Sequence, residues 1–189
     1  LKVSLLLLIL IILPLLSIRT FVRLGDWKNS LTLYKHDREV TESYLLENAY
    51  GYELMQRNDI LHAYPPLVRS IQLFETTNNT NTLGVYYFTA HKIPEAIKWM
   101  DRSTEMGDNF LSYSNLARIY LQEKSYDKAQ EVLETATQKF PQSDALWYLL
   151  ALTYYQRGDT VGALIASEKA YTLSPTPDNY YMYNQLRIG

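Results

Sequence analysis

Apolar residues recur along the second half of the chain at a helical spacing. Tyr113, Leu116, Ala117 and Tyr120 fall at i, i+3, i+4 and i+7, which is one stripe of an α-helix. Ala129, Leu133 and Ala136 form a second stripe, and Pro141 closes the set. The same order returns 34 residues later as Trp147, Leu150, Ala151, Tyr154, Ala163, Ser167, Ala170 and Pro175. Only the pair Leu133/Ser167 changes character. Two weaker copies come earlier. Leu83, Gly84, Tyr87, Ala96, Met100 and Ser103 make one, with Asp108 where the proline would stand. Tyr50, Gly51, Leu54, Ala63, Leu67 and Ser70 make the other.

A fixed period in this range marks a solenoid, because no unit can bury its stripe without a neighbour. The order of large, small, aromatic, small, small and proline resembles the tetratricopeptide repeat. The spacing predicts an all-α, right-handed helical-repeat solenoid of helix pairs over 44–76, 77–109, 110–143 and 144–177. A capping helix over 178–189 follows, with Asp178 as its N-cap. Ala117, Ala129, Ala136 and Ala163 are expected where helix backbones approach closely. Thr137 is expected to be exposed. Gly158 suits a helix end that needs a left-handed residue. Pro65 and Pro66 are expected to open the second helix of the first pair.

The N-terminus has a different pattern. Residues 1–18 read LKVSLLLLILIILPLLSI, with Lys2 the one charge. A membrane helix needs about 20 apolar residues, so this run is expected to span a bilayer as an N-terminal transmembrane helix. Lys2 would snorkel to the interface, and Pro14 is tolerated. A signal peptide is the rival, but no small-x-small cleavage site follows Ser17. A soluble cytosolic repeat protein would have to bury this run, and the remaining chain offers no matching surface. The chain opens on Leu1 instead of Met, as expected for a fragment of a longer protein. Residues 19–43 are expected to be a helical connector with Asp26 as N-cap and Trp27, Leu31 and Tyr34 on one face. That face would lie in the membrane interface or pack on the first repeat.

Composition narrows the chemistry. The chain has 189 residues, 47% hydrophobic, with a net charge of −2. Such a balance offers no footprint for nucleic acid. Cysteine is absent, which excludes disulfides and thiolate metal sites. His36, His62 and His91 show no metal-ligand spacing, and no Gly-rich phosphate loop occurs. No catalytic residue, cofactor site or metal is expected in this chain. Asp127, Glu131 and Glu134, with Lys128 and Lys139, read as a solvated helix face. Arg157-Gly158-Asp159 matches an adhesion motif, although Gly-Asp is also ordinary turn chemistry. Asn78-Asn79-Thr80 is a potential glycosylation acceptor.

The connector adds a second resemblance. Arg23, Asp26-Trp27 and Leu31-Thr32-Leu33-Tyr34, between an apolar run and repeats, resemble the junction in transmembrane and tetratricopeptide-repeat O-mannosyltransferases. The resemblance covers about the first 40 residues. It implies repeats on the exoplasmic side, attached to a multi-spanning glycosyltransferase that uses lipid-linked sugars. The positive-inside rule points the other way, since Arg19, Arg23 and Lys28 follow the span. The catalytic acids of that family lie in earlier loops, and none transfers to this chain.

The candidate site is a peptide groove along the first helices of the repeats. Its residues lie one position beyond the packing stripe. The first copy offers Tyr52, Met55 and Gln56. The second offers Asn81, Val85, Phe88 and Thr89. The third offers Ser114, Asn115, Arg118, Leu121 and Gln122. The fourth offers Tyr148, Leu152, Tyr155 and Gln156. Amides would bond the main chain of an extended peptide, and aromatics would supply contact area. Arg118 is the one cation in the set, so a multi-cation clamp for a terminal carboxylate is missing. The expected function is a membrane-anchored scaffold for protein–protein interaction. The alternative is an accessory domain of a glycosyltransferase.

Overall fold

A computed structural model describes residues 12–20, 29–107 and 109–188. Among them every regular element is an α-helix. The helices are α1 (12–20), α2 (Ser30–Val40), α3 (Tyr44–Gln56), α4 (Ile60–Leu73), α5 (Thr77–Thr89) and α6 (Ile93–Met106). They continue with α7 (Phe110–Gln122), α8 (Tyr126–Lys139), α9 (Asp144–Gln156), α10 (Thr160–Leu173) and α11 (Pro177–Ile188). The chain is an all-α helical-repeat solenoid that divides into two units, Leu1–Phe74 and Glu75–Gly189.

In the first unit, residues 1–11 of the expected membrane span lie outside the described residues. Among the described residues no helix is long and apolar enough to cross a membrane. Asp26 and Trp27 also lie outside them. The helix that carries Leu31 and Tyr34 starts at Ser30, and its cap is Asn29, whose side chain accepts from the Leu31 N–H at 3.0 Å. This helix packs on α3. Arg38 donates to both carboxylate oxygens of Glu47, at 3.0 and 2.6 Å, and lies over the Tyr50 ring. Of the two expected surroundings for α2, the structure therefore shows the first repeat.

Helix α4 departs from expectation. It starts at Ile60, five residues before Pro65, capped by the Asp59 side chain. The two prolines sit inside it and leave the carbonyls of Leu61 and His62 without their i+4 donors. Both residues are exposed, so water can satisfy those carbonyls. The start is held upstream by Ala63, fully buried, whose carbonyl lies 3.2 Å from where a Cβ at Gly51 would sit.

In the second unit the pairs α5–α6, α7–α8 and α9–α10 follow one plan. The small position of the first helix is Gly84, Ala117 or Ala151, and all three are buried. A Cβ at Gly84 would lie 2.6 Å from Met100 Cγ, so α5 and α6 approach too closely there for any side chain. The core combines Tyr113, Ala117, Leu133, Leu146 and Leu150 in one cluster, and Ala96, Met100, Leu116 and Ala129 in a second. Ser167, the exception in the stripe, is also buried and donates to the Leu164 carbonyl. Thr137 is 4% exposed, against expectation. Its hydroxyl donates to the Leu133 carbonyl of its own helix, which leaves an apolar outline that a packed helix can cover.

Helix α11 begins at Pro177, and Thr176, not Asp178, supplies the capping oxygen to the Asn179 N–H. Proline suits that first position because its missing N–H has no helical partner there. Asp178 falls in the first turn, where its charge favours the helix dipole. Asn179 is buried and donates to the carbonyls of Ala170 and Ser174 and to Asp144, which ties α11 to the pair it covers.

Candidate functional site

Within the second unit the first helices α5, α7 and α9 lie side by side. Equivalent positions on them, Val85, Arg118 and Leu152, recur at the repeat spacing and share one face. The neighbouring positions are Phe88, Leu121 and Tyr155. Val85, Phe88 and Leu121 are half-buried and pack on the core beneath. Tyr148 and Leu152 are half-buried, Tyr155 is 53% exposed, and Arg118, Gln122 and Gln156 are exposed. In the first unit Tyr52 and Gln56 are exposed on α3.

Three expected lining residues are packed instead. Asn81 is 6% exposed, and its Oδ1 accepts from Asn115 Nδ2 at 3.1 Å. That bond joins α5 to α7 and consumes two of the amide groups expected to face a ligand. Ser114 is buried and donates to the Leu111 carbonyl. Met55 is buried in the first unit. These positions lie along helix seams, where a neighbouring helix removes water from a position that periodicity alone leaves open. Asn115 and Thr89 keep partial or full exposure, and the Thr89 hydroxyl donates to the Val85 carbonyl.

The sequence reading missed two features. Asn48, one repeat period before Asn81, holds a buried Oδ1 with no hydrogen-bond partner among the described residues. A shallow apolar cleft lined by Phe110, Phe140 and Pro141 opens at the start of α9. Its sequence signal is a phenylalanine at the start of α7 and another at the end of α8.

The remaining candidates have structural roles. Gly158 adopts φ +80°, Asp159 caps α10 through the Gly162 N–H, and Arg157 pairs with Asp127 at 2.8 Å. Gly158 and Asp159 thus serve the turn, and the Arg157 side chain reaches back to α8. Asn78 is exposed in the first turn of α5, while Thr80 is buried and donates to the Thr76 carbonyl. His62 meets the capping carboxylate of Asp59 at 2.8 Å, and His36 meets Asp37 at 3.2 Å. His91 is exposed with φ 57° at the turn after α5. Among the described residues no three His, Cys, Asp or Glu side chains gather as a metal site.

Electrostatic perturbations belong to helix packing. Burial, then a hydrogen bond to Glu134, push the Tyr154 hydroxyl up to about 12. That hydroxyl donates to Glu134 Oε1 at 2.9 Å, so Glu134 is not simply part of a solvated face. Burial, reinforced by Glu105, raises Asp101 above the usual carboxylate range. Tyr154 bonds across to α8 and Asp101 lies on α6, so both shifts arise where helices pack on one another.

Comparison with known proteins gives the fold a context. Residues 114–178 match the family model described as tetratricopeptide repeat. No curated protein matches the chain in sequence. Among solved structures it resembles the Cut9–Hcn1 hetero-tetramer of APC/C, with a TM-score of 0.70 and 20% identity over 89% of this chain. The chain spans 34% of the length of that neighbour. It also resembles YrrB, described as a protein of this repeat class with an unusual peptide-binding site, at TM-score 0.65 and 14% identity over 88% of either chain. The first repeat domain of Spaghetti (RPAP3), bound to the HSP90 peptide SRMEEVD, gives TM-score 0.55 and 16% identity. That likeness covers 59% of this chain and 90% of the other. Residues 114–178 thus match the tetratricopeptide repeat in sequence, and the chain is similar to tetratricopeptide-repeat proteins in fold.

Proposed function

We propose that this chain is a protein-interaction module that holds an extended peptide on the shared face of α5, α7 and α9. The observation that carries this reading is the exposure of Tyr155, at 53%, beside half-buried Leu152 and Tyr148 on one helix. Large aromatic side chains left partly wet on a rigid scaffold give binding area at low entropy cost. Gln122 and Gln156 supply amides that reach a peptide main chain. The peptide-binding descriptions of two structural neighbours support the same reading. The test is Tyr155→Glu. It should abolish binding of a selected peptide, because the ligand would cover a charge without a partner. Circular dichroism and melting temperature should stay unchanged. Tight binding by the variant, or loss of its fold, would return Tyr155 to the core.

The module is held to a membrane by residues 1–18 in this proposal. Support comes from the apolar run and from α1, where Leu13, Leu15, Leu16 and Ile18 are all exposed. Such a surface is suited to lipid. The order of Arg23, Asp26-Trp27 and Leu31–Tyr34 favours a second reading, in which the repeats serve a multi-spanning glycosyltransferase from the exoplasmic side. Sequence upstream of Leu1 discriminates, since further apolar spans with an acidic loop residue belong to the transferase reading alone.

A further inference from the structure

Arg118 stands on α7, the middle of the three first helices, and is exposed. The other arginines of the second unit have partners. Arg102 binds Glu75, Arg157 binds Asp127, and Arg187 lies over the Tyr183 ring. Arg118 has no ion pair or ring contact among the described residues. The equivalent positions on the flanking helices are Val85 and Leu152. One turn onward on α7 are Leu121 and Gln122. A ligand that covers an exposed guanidinium excludes solvent from the pair it forms, so an anion placed there binds more strongly than it would in open water.

Resting on the groove reading, we infer that the ligand is an extended peptide of mainly apolar side chains with a single Asp or Glu placed over Arg118. The acid is internal to the peptide. The face continues on both sides of Arg118, through Val85 and Phe88 one way and Leu152 and Tyr155 the other. A peptide ending at Arg118 would leave one side uncovered. One guanidinium provides a bidentate match for one carboxylate.

The experiment selects random dodecapeptides on the full chain by display and measures the winners by fluorescence anisotropy. Enriched peptides should carry one acid between apolar residues. Replacing that acid by its amide should weaken binding about tenfold or more, the usual worth of a charge-assisted hydrogen bond. Arg118→Gln should erase the difference between acid and amide peptides, with the melting temperature unchanged. Amidating the peptide C-terminus should have no effect. Peptides sensitive to Tyr155→Glu but indifferent to the acid would overturn this inference and leave the groove standing. So would an acid preference that survives Arg118→Gln, or binding lost on C-terminal amidation. Peptides insensitive to Tyr155→Glu, or no enrichment at all, would remove the groove and this inference together.

Discussion

Among the described residues four lie in the left-handed region, one at the turn inside each helix pair: Asn58 at φ 63°, His91 at 57°, Lys124 at 54° and Gly158 at 80°. The turn closes the same way each time. After α7, the Lys124 N–H donates to the Leu121 carbonyl and the Ser125 N–H to the Tyr120 carbonyl. After α9, the Gly158 and Asp159 N–H groups do the same to Tyr155 and Tyr154. This is a left-handed helix cap, in which a Cβ is strained. Lys124→Gly should therefore stabilise the chain by about 1 kcal/mol, and Gly158→Ala should cost about the same, read by urea denaturation. Nothing lies within 4 Å of a Cβ added at Gly158, so the cost there would be conformational alone. Equal stability in both variants would argue against the cap. Gly158 was legible in the sequence because glycine announces the conformation. Asn58, His91 and Lys124 were not, because their strain is offset by the two backbone bonds of the turn.

At the scale of the helix, the small residues decide how closely partners approach. Ala163 is fully buried at the start of α10. Ala163→Leu should overpack the pair and cost roughly 1–3 kcal/mol in a thermal melt. Thr137→Leu should also destabilise by roughly 1–3 kcal/mol, since that site is filled too. Gln138→Leu, on the exposed side of the same helix, should change stability by less than about 0.5 kcal/mol. If Thr137→Leu were harmless and Gln138→Leu costly, the burial of α8 would be reversed. The stripe of α8 was readable from Ala129, Leu133 and Ala136. Its width was not, because one apolar stripe does not say how many neighbouring helices cover its edges. The start of α4 was hidden for a related reason. Local rules place two prolines in a first turn, while burial of Ala63 and the Asp59 cap extend the helix upstream of them.

For the molecule as a whole, the proposed membrane tether is tested apart from the repeats. If residues 1–18 anchor the chain, the protein expressed with its N-terminus intact should stay with membranes through a carbonate wash. Full-length chain in the soluble fraction would refute the anchor. Within the second unit the repeats need no tether to explain their packing, since each helix packs on the next. Their period and their all-α class were determined by the sequence itself. Helical spacing, small residues at fixed intervals and closing prolines are local signals, and each is complete within one repeat of the sequence. The tertiary structure decided which side of each first helix stays wet. Asn81 and Asn115 spend amide groups on each other, Ser114 is buried, and Tyr155 and Arg118 remain open. That choice depends on which neighbouring backbone removes water from a position, and the spacing of residues along one helix does not record it.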